Sequence, residues 1–102
     1  MNNNPHISIV SPVYKAEKSI EKLVDEIQKT MLLINCNYEI ILVDDRSPDN
    51  CWDVMQKISE KHKEVKSIRL SKNFGENPAI MAGLTYAKGD WIVIYKISLK
   101  KY

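Results

Sequence analysis

What most constrains this chain is the regular alternation of short apolar runs with amphipathic stretches. Ile7 to Val10 and Ile40 to Val43 are brief, rich in β-branched residues and bounded by turn or charge signals, the pattern of strands buried on both faces of a parallel sheet. Val65 to Leu70 and Trp91 to Ile94 read as a third and a fourth strand. In the first gap Ile20, Leu23, Val24, Ile27 and Met31 recur at steps of three and four, which places them on one helical face. The second gap carries the cap-type residues Ser47-Pro48-Asp49-Asn50 and then Cys51, Trp52, Met55 and Ile58 at helical spacing. The third opens at Asn77-Pro78, an N-cap followed by a proline at the first helical position, and runs Ala79 to Ala87 until Gly89 stops it. The order β-α-β-α-β-α-β predicts an α/β fold, a parallel sheet with helices on its faces. Right-handed crossovers then put ligands beyond the carboxyl ends of the strands.

Size and charge narrow the function. A chain of 102 residues, 44% hydrophobic, supports one compact domain. Fifteen basic against thirteen acidic residues leave a net charge of +2, far from the basic excess of a dedicated nucleic-acid binder. Lys57, Lys61, Lys63 and Lys66 interleave with Glu60 and Glu64, which reads as a solvated face. Two cysteines, Cys36 and Cys51, are too few for a disulfide framework or a zinc site and fit a reducing, cytoplasmic setting. The start, Met1-Asn2-Asn3-Asn4-Pro5, has neither a basic n-region nor an apolar h-region, and no apolar run reaches the ~18–20 residues of a membrane span. The expectation is a soluble, unexported protein. A phosphate-receiving signalling domain would place its paired aspartates after the first strand and a further aspartate after the third; this chain has neither.

Three loops at the predicted carboxyl edge hold the candidate chemistry. Ser11-Pro12-Val13-Tyr14 follows the first strand, with Glu17 just beyond. Proline lacks a donor and fixes φ, so the chain is expected to leave the sheet here. Tyr14 then either lies against a flat nucleobase or covers the core. After the second strand, Val43-Asp44-Asp45-Arg46-Ser47-Pro48-Asp49 sets three carboxylates close together. Such charges persist when solvated, hydrogen-bonded or facing a ligand donor. Asp49 reads as a helix cap, whereas Asp45 fits equally a turn residue and an acceptor for the N–H edge of a uracil or guanine. The third loop, Leu70-Ser71-Lys72-Asn73-Phe74-Gly75-Glu76, ends at a helix N-terminus, where free N–H groups attract phosphate. Lys72 adds a mobile cation and Gly75 backbone freedom.

Taken in order, Ser-Pro-Val-Tyr, Val-Asp-Asp-Arg-Ser-Pro-Asp and Leu-Ser-Lys-Asn-Phe-Gly, followed by Ala-Gly-Leu and Lys-Gly-Asp, resemble the family 2 glycosyltransferases of GT-A fold over about residues 6 to 94. The branch most similar transfers sugars to dolichol or undecaprenyl phosphate. The resemblance implies a donor that is a UDP- or GDP-sugar, contacted by Pro12, Tyr14 and Asp45 with Val43 bordering the base. Relatives carry Asn-Glu directly after the tyrosine; here Lys15-Ala16 intervene before Glu17, which takes the glutamate's role with altered spacing. Lys72, Asn73 and Gly75 match the family's loop, which orders either the nucleotide or the acceptor side. Inversion, a base that deprotonates the acceptor and a polyprenyl-phosphate acceptor are further implications.

The family also implies Mg2+ or Mn2+, held by an Asp-X-Asp motif after the fourth strand to neutralise the leaving diphosphate. This chain reads Tyr95-Lys96-Ile97-Ser98 there, so no metal ligands and no catalytic residue are assigned. Ile94 to Tyr102 can be encoded so that reading from the third base gives Leu-Gln-Asp-Leu-Pro-Glu-Glu-Ile, which resembles the family's continuation. Residues 1–94 are accordingly read as the nucleotide-sugar-binding half of a transferase and 95–102 as an aberrant, frame-shifted tail. The expected molecule is inactive in transfer, or a non-catalytic remnant with at most weak nucleotide binding. One sheet edge is left unpaired, which predicts marginal stability or self-association.

Overall fold

The structure, a computed structural model, describes residues 5–96. It contains β1 (Ile7–Val13), α1 (Ile20–Ile34), β2 (Tyr38–Asp44), α2 (Cys51–Lys61), β3 (Val65–Arg69), α3 (Glu76–Tyr86) and β4 (Trp91–Ile94). All pairings are parallel, in the order β3-β2-β1-β4. The predicted α/β parallel sheet is therefore observed. The expected tail over 95–102 lies outside the described residues except for Tyr95 and Lys96.

Two cores flank the sheet. On one face Ile9, Val13, Ile40 and Leu42 pack against the α1 stripe Ile20, Leu23, Val24, Ile27 and Met31 and against Cys51, Met55 and Ile58 of α2. On the other, Val10, Ile41 and Val43 meet Ala79 of α3. The second core is thin because α3 lies close against the strands: a Cβ added at Gly83 would stand 2.4 Å from Val10 Cγ1 and 3.0 Å from Val43 Cγ2.

Three boundaries differ from the sequence reading. β1 does not leave the sheet at Pro12; it continues to Val13, in register with Asp44. Even-numbered residues of β1 turn their polar backbone groups toward β4, as the bonds from Trp91 N–H to His6 O and from Tyr95 N–H to Val10 O show. The donor missing at Pro12 thus falls beyond the last β4 pair, Val10 with Ile94, and costs no ladder bond. Helix α3 starts at Glu76 with Gly75 as N-cap, so Pro78 occupies the third helical position, still among the amides that lack an intrahelical partner. The helix ends with Ala87 as C-cap, and Gly89 serves a different purpose, since a Cβ there would meet Ser8 N at 2.6 Å. Trp91 is 66% exposed, and Ile92, Val93 and Ile94 are also exposed, because among the described residues β4 is an edge strand with no helix over it.

The amino edge of the sheet is tied by a buried carboxylate that the sequence did not single out. Glu39 accepts from Ser8 Oγ (2.6 Å) and Lys88 N–H (2.7 Å) and pairs with Lys66, while Gly89 N–H donates to Ser8 Oγ (2.8 Å). Burial alone would raise the Glu39 carboxyl, but Lys66, Ser8 and Lys88 outweigh it and hold it below the ordinary glutamate value. Lys66 is therefore a cross-strand partner rather than part of a solvated charge face.

Candidate nucleotide-binding edge

At the carboxyl edge the ends of β1 and β2 lie side by side, and Pro12 is paired with Val43. Both side chains are buried, and their parity puts them on the α3 face beside Val10 and Ile41. Immediately beyond, the chain reverses twice through left-handed backbone at non-glycine residues, Lys15 (φ 52) and Arg46 (φ 56). Such conformations cost of order 1–3 kcal/mol and persist where surrounding contacts fix them. Those contacts run between the two loops. The successive amides of Lys15, Ala16 and Glu17 donate to Ser47 Oγ (2.8 Å), Cys51 Sγ (3.3 Å) and Asp49 Oδ2 (3.3 Å). Asp49 Oδ1 in turn accepts from Ser47 Oγ (2.6 Å) and from the Cys51 amide at the start of α2 (3.1 Å). The N-cap of α2 is Asn50; Asp49, one residue before it, accepts the first helical amide through its side chain and braces the β1–α1 loop. Its burial would raise the carboxyl, yet the Cys51 and Ser47 donors keep it below the ordinary aspartate value. Burial and Asp49 together push the Cys51 thiol up to about 11, so this residue is an inert packing group.

The paired aspartates have separate roles. Asp44, the last residue of β2, is fully buried; its Oδ1 accepts the Ser47 amide (2.9 Å), and Arg69 Nε, opposite it on β3, stands 3.3 Å from Oδ2. Burial raises its carboxyl despite those partners. Asp45, also fully buried, reaches across to the third loop, where Oδ1 accepts the Phe74 amide (2.9 Å) and Oδ2 the Gly75 amide (3.0 Å). Gly75 takes φ 105, a conformation reserved for glycine. The amides of Phe74 and Gly75, just ahead of α3, are therefore occupied by a carboxylate of the chain itself. Both oxygens of Asp45 are occupied and the residue has no exposed surface, so it fixes this loop and is not itself open to a ligand donor.

Tyr14 is half-buried at the end of β1, with Lys15 Nζ 5.5 Å from its ring centroid. Glu17 follows in the β1–α1 loop and is fixed through its backbone. Lys72 and Asn73 are exposed, and Lys72 Nζ lies 5.2 Å from the Phe74 ring centroid. The structure thus gathers Pro12, Val43, Asp45 and Gly75 around one bonded unit and leaves Lys72 and Asn73 on its rim. Ser47, Arg69 and the backbone of Phe74 belong to this unit and were not expected from sequence. Ser47 was legible only as a turn residue, and Arg69 only once the strand register is known.

Where the family's metal motif would fall stand a phenol and an ammonium, Tyr95 and Lys96, and Lys96 Nζ pairs with Glu76 Oε2 at 3.2 Å. Divalent Mg2+ and Mn2+ take hard oxygen ligands, chiefly carboxylates. Among the described residues no group of three His, Cys, Asp or Glu side chains could hold a metal ion. The residues present do not fit such a cation.

A parallel sheet with helices on both faces, whose loops converge at its carboxyl edge, makes this a Rossmann-like α/β domain. More specifically, the chain belongs to glycosyl transferase family 2, which it matches over residues 8–95. It is 35% identical over 95 residues to the undecaprenyl-phosphate 4-deoxy-4-formamido-L-arabinose transferase of Proteus mirabilis, covering 92% of this chain and 29% of that relative. The chain therefore spans under a third of the length of the curated relatives it matches. Among solved structures, S. aureus TarS 1–349 in complex with UDP superposes with a TM-score of 0.73 at 25% identity, over 88% of this chain and 26% of the 1–349 chain. The mannosyltransferase PcManGT of Pyrobaculum calidifontis, solved with GDP-Man and Mn2+, gives a TM-score of 0.76 at 20% identity, over 93% of this chain and 28% of its own, a likeness of fold alone. No helix among the described residues is long and apolar enough to cross a membrane.

Proposed function

We propose that residues 1–94 form the half of a family 2 glycosyltransferase that binds the nucleotide of a UDP- or GDP-sugar, and that this chain does not itself transfer the sugar. The observation that carries the binding reading is Asp45, a buried carboxylate that locks the loop over residues 72–75 to the end of β2 beside Pro12 and Val43. Preorganised edges of this kind take flat, donor-bearing ligands without first paying to order their loops. Tyr14 supplies the stacking surface, while Pro12, Val43 and Asp45, buried at the strand ends, fix the edge on which the base lies; Glu17, Lys72 and Asn73 lie on the rim. In a complete enzyme of this lineage a divalent cation neutralises the departing diphosphate and a polyprenyl phosphate accepts the sugar. The absence of transfer is supported by Tyr95 and Lys96, which offer no ligand to that cation. A cytoplasmic setting suits the two free cysteines.

Calorimetric titration of the chain with UDP and with GDP, with and without Mn2+, tests this reading. Saturable binding of at least one nucleotide, unchanged by Mn2+ and lost in Tyr14→Ala with the melting transition intact, is the expected result. No heat from either nucleotide would overturn the binding claim, and turnover of a nucleotide sugar by the purified chain would overturn the claim of inactivity.

A further inference from the structure

Ser47 joins the two loops that follow β1 and β2. Its amide donates to Asp44 Oδ1 (2.9 Å), its hydroxyl donates to Asp49 Oδ1 (2.6 Å), and the same oxygen accepts the Lys15 amide (2.8 Å). The residue is 5% exposed, so water has little access to replace the hydroxyl. The two left-handed non-glycine residues at this edge flank the bridge: Arg46 directly precedes Ser47, and Lys15 is the residue whose amide Ser47 holds. Neither is an asparagine, aspartate or glycine, the types that tolerate positive φ most readily. Both side chains are exposed, so the conformation is imposed through the backbone and not by the packing of these side chains. Tyr14 inherits the constraint. Val13, in register with Asp44, is the last residue of the β1 ladder, and Tyr14 is the first beyond it. The peptide unit joining Tyr14 to Lys15 is planar, so a bond at the Lys15 N–H also fixes ψ of Tyr14.

We propose that Ser47 is a positioning residue for the nucleotide: by holding the Lys15 amide it keeps the Tyr14–Lys15 peptide in the orientation that presents the Tyr14 ring, without itself touching the ligand. This rests on the reading of Tyr14 as the stacking surface for the base. The start of α2 does not need the Ser47 hydroxyl, since Asn50 is its N-cap and Asp49 accepts the Cys51 amide directly. What the hydroxyl alone supplies is the acceptor for Lys15. The penalty of left-handed backbone at a non-glycine residue is of the same order as the net contribution of one hydrogen bond. Loss of that acceptor is therefore enough to release Lys15 into ordinary backbone and let the Tyr14 ring turn with it. The effect falls on the fraction of molecules ready to bind, which divides the intrinsic affinity, whereas truncating Tyr14 removes the contact itself.

Calorimetry with UDP and with GDP on the full chain and its variants tests this. Ser47→Ala should raise the Kd of whichever nucleotide binds roughly tenfold with the melting transition kept, because the competent fraction falls. Ser47→Thr, which keeps the hydroxyl, should retain native affinity. The Lys15 Cα shift and HN–Hα coupling, which report φ, should leave their left-handed values in Ser47→Ala and keep them in Ser47→Thr. Lys15→Gly isolates the cause: glycine takes positive φ without penalty, so in that background Ser47→Ala should lose most of its effect. Where Ser47→Ala fails to fold, Lys15→Pro asks the same question from the exposed partner, since proline has no N–H to donate and cannot take positive φ; it should weaken binding at least as much. Native affinity in Ser47→Ala or Lys15→Pro, a left-handed Lys15 that persists without the hydroxyl, or an undiminished loss in the Lys15→Gly background would each overturn the proposal and leave the nucleotide reading standing. Failure of the native chain to bind either nucleotide would overturn both.

Discussion

Replacing Asp45 by alanine removes the acceptor for two amides at once, those of Phe74 and Gly75. The carboxylate is fully buried, so water does not substitute for it at no cost. A hydrogen bond to a charged group contributes about 1.5–3 kcal/mol, and each 1.4 kcal/mol is a factor of ten in an equilibrium. Both amides should therefore exchange with solvent deuterium roughly ten to over a hundred times faster in Asp45→Ala. Asp45→Asn discriminates further, because a carboxamide keeps one acceptor oxygen and turns an NH2 toward the other donor. It should unlock one of the two amides and spare the other. Amide hydrogen exchange followed by NMR reads each position separately, with Val10 and Ile41 in the core as references. If Phe74 and Gly75 exchange in the native chain as fast as an unstructured loop, or if their protection survives Asp45→Ala, the role given to this carboxylate is refuted.

Gly83→Ala should destabilise the domain, since its Cβ would press Val10 Cγ1 at 2.4 Å and Val43 Cγ2 at 3.0 Å. Overpacking of that kind costs about 1–3 kcal/mol against the ~1 kcal/mol that alanine gains in helix propensity, so a thermal melt should shift downward. Glu39→Gln removes the buried carboxylate that half-exposed Lys66 and the Ser8 and Lys88 donors bond and should cost about 1.5–3 kcal/mol at neutral pH. Because the folded Glu39 carboxyl lies below its ordinary value of 4.5, its contribution is present above that value and lost as pH falls through the folded one. Urea unfolding from pH 7 down to pH 3 should thus show the native chain losing stability that the variant never had. Asp44, whose carboxyl is raised, works in the opposite sense and blunts the overall slope without removing the difference between the two proteins.

Much of this was legible in the residues, for reasons that differ by element. The α1 stripe of Ile20, Leu23, Val24, Ile27 and Met31 is buried without exception, because a 3.6-residue period has one solution when a single face must be covered. The start of α3 was misplaced because proline is tolerated throughout the first turn, and Gly75, with its positive φ, set the boundary instead. Pro12 misled in the same way: whether a proline ends a strand depends on which side its missing donor faces, a property of the neighbours. At the site, residue types identified Asp45, yet its partners lie at positions 74 and 75, and only the fold brings those amides to it. The buried Glu39 could not be found from its own surroundings, since its donors come from Ser8 on β1, Lys66 on β3 and Lys88 in the α3–β4 loop.

The central claim is that the carboxyl edge of the sheet holds the base and ribose of a nucleoside diphosphate. An amide chemical-shift titration of the labelled chain with UDP and then GDP tests it most directly. Binding there should move the resonances of Val13, Tyr14 and Lys15, of Val43 to Arg46 and of Asn73 to Gly75, while Ser8, Glu39 and Lys88 at the opposite edge stay still. Shifts confined to that opposite edge, or none with either nucleotide, would contradict it.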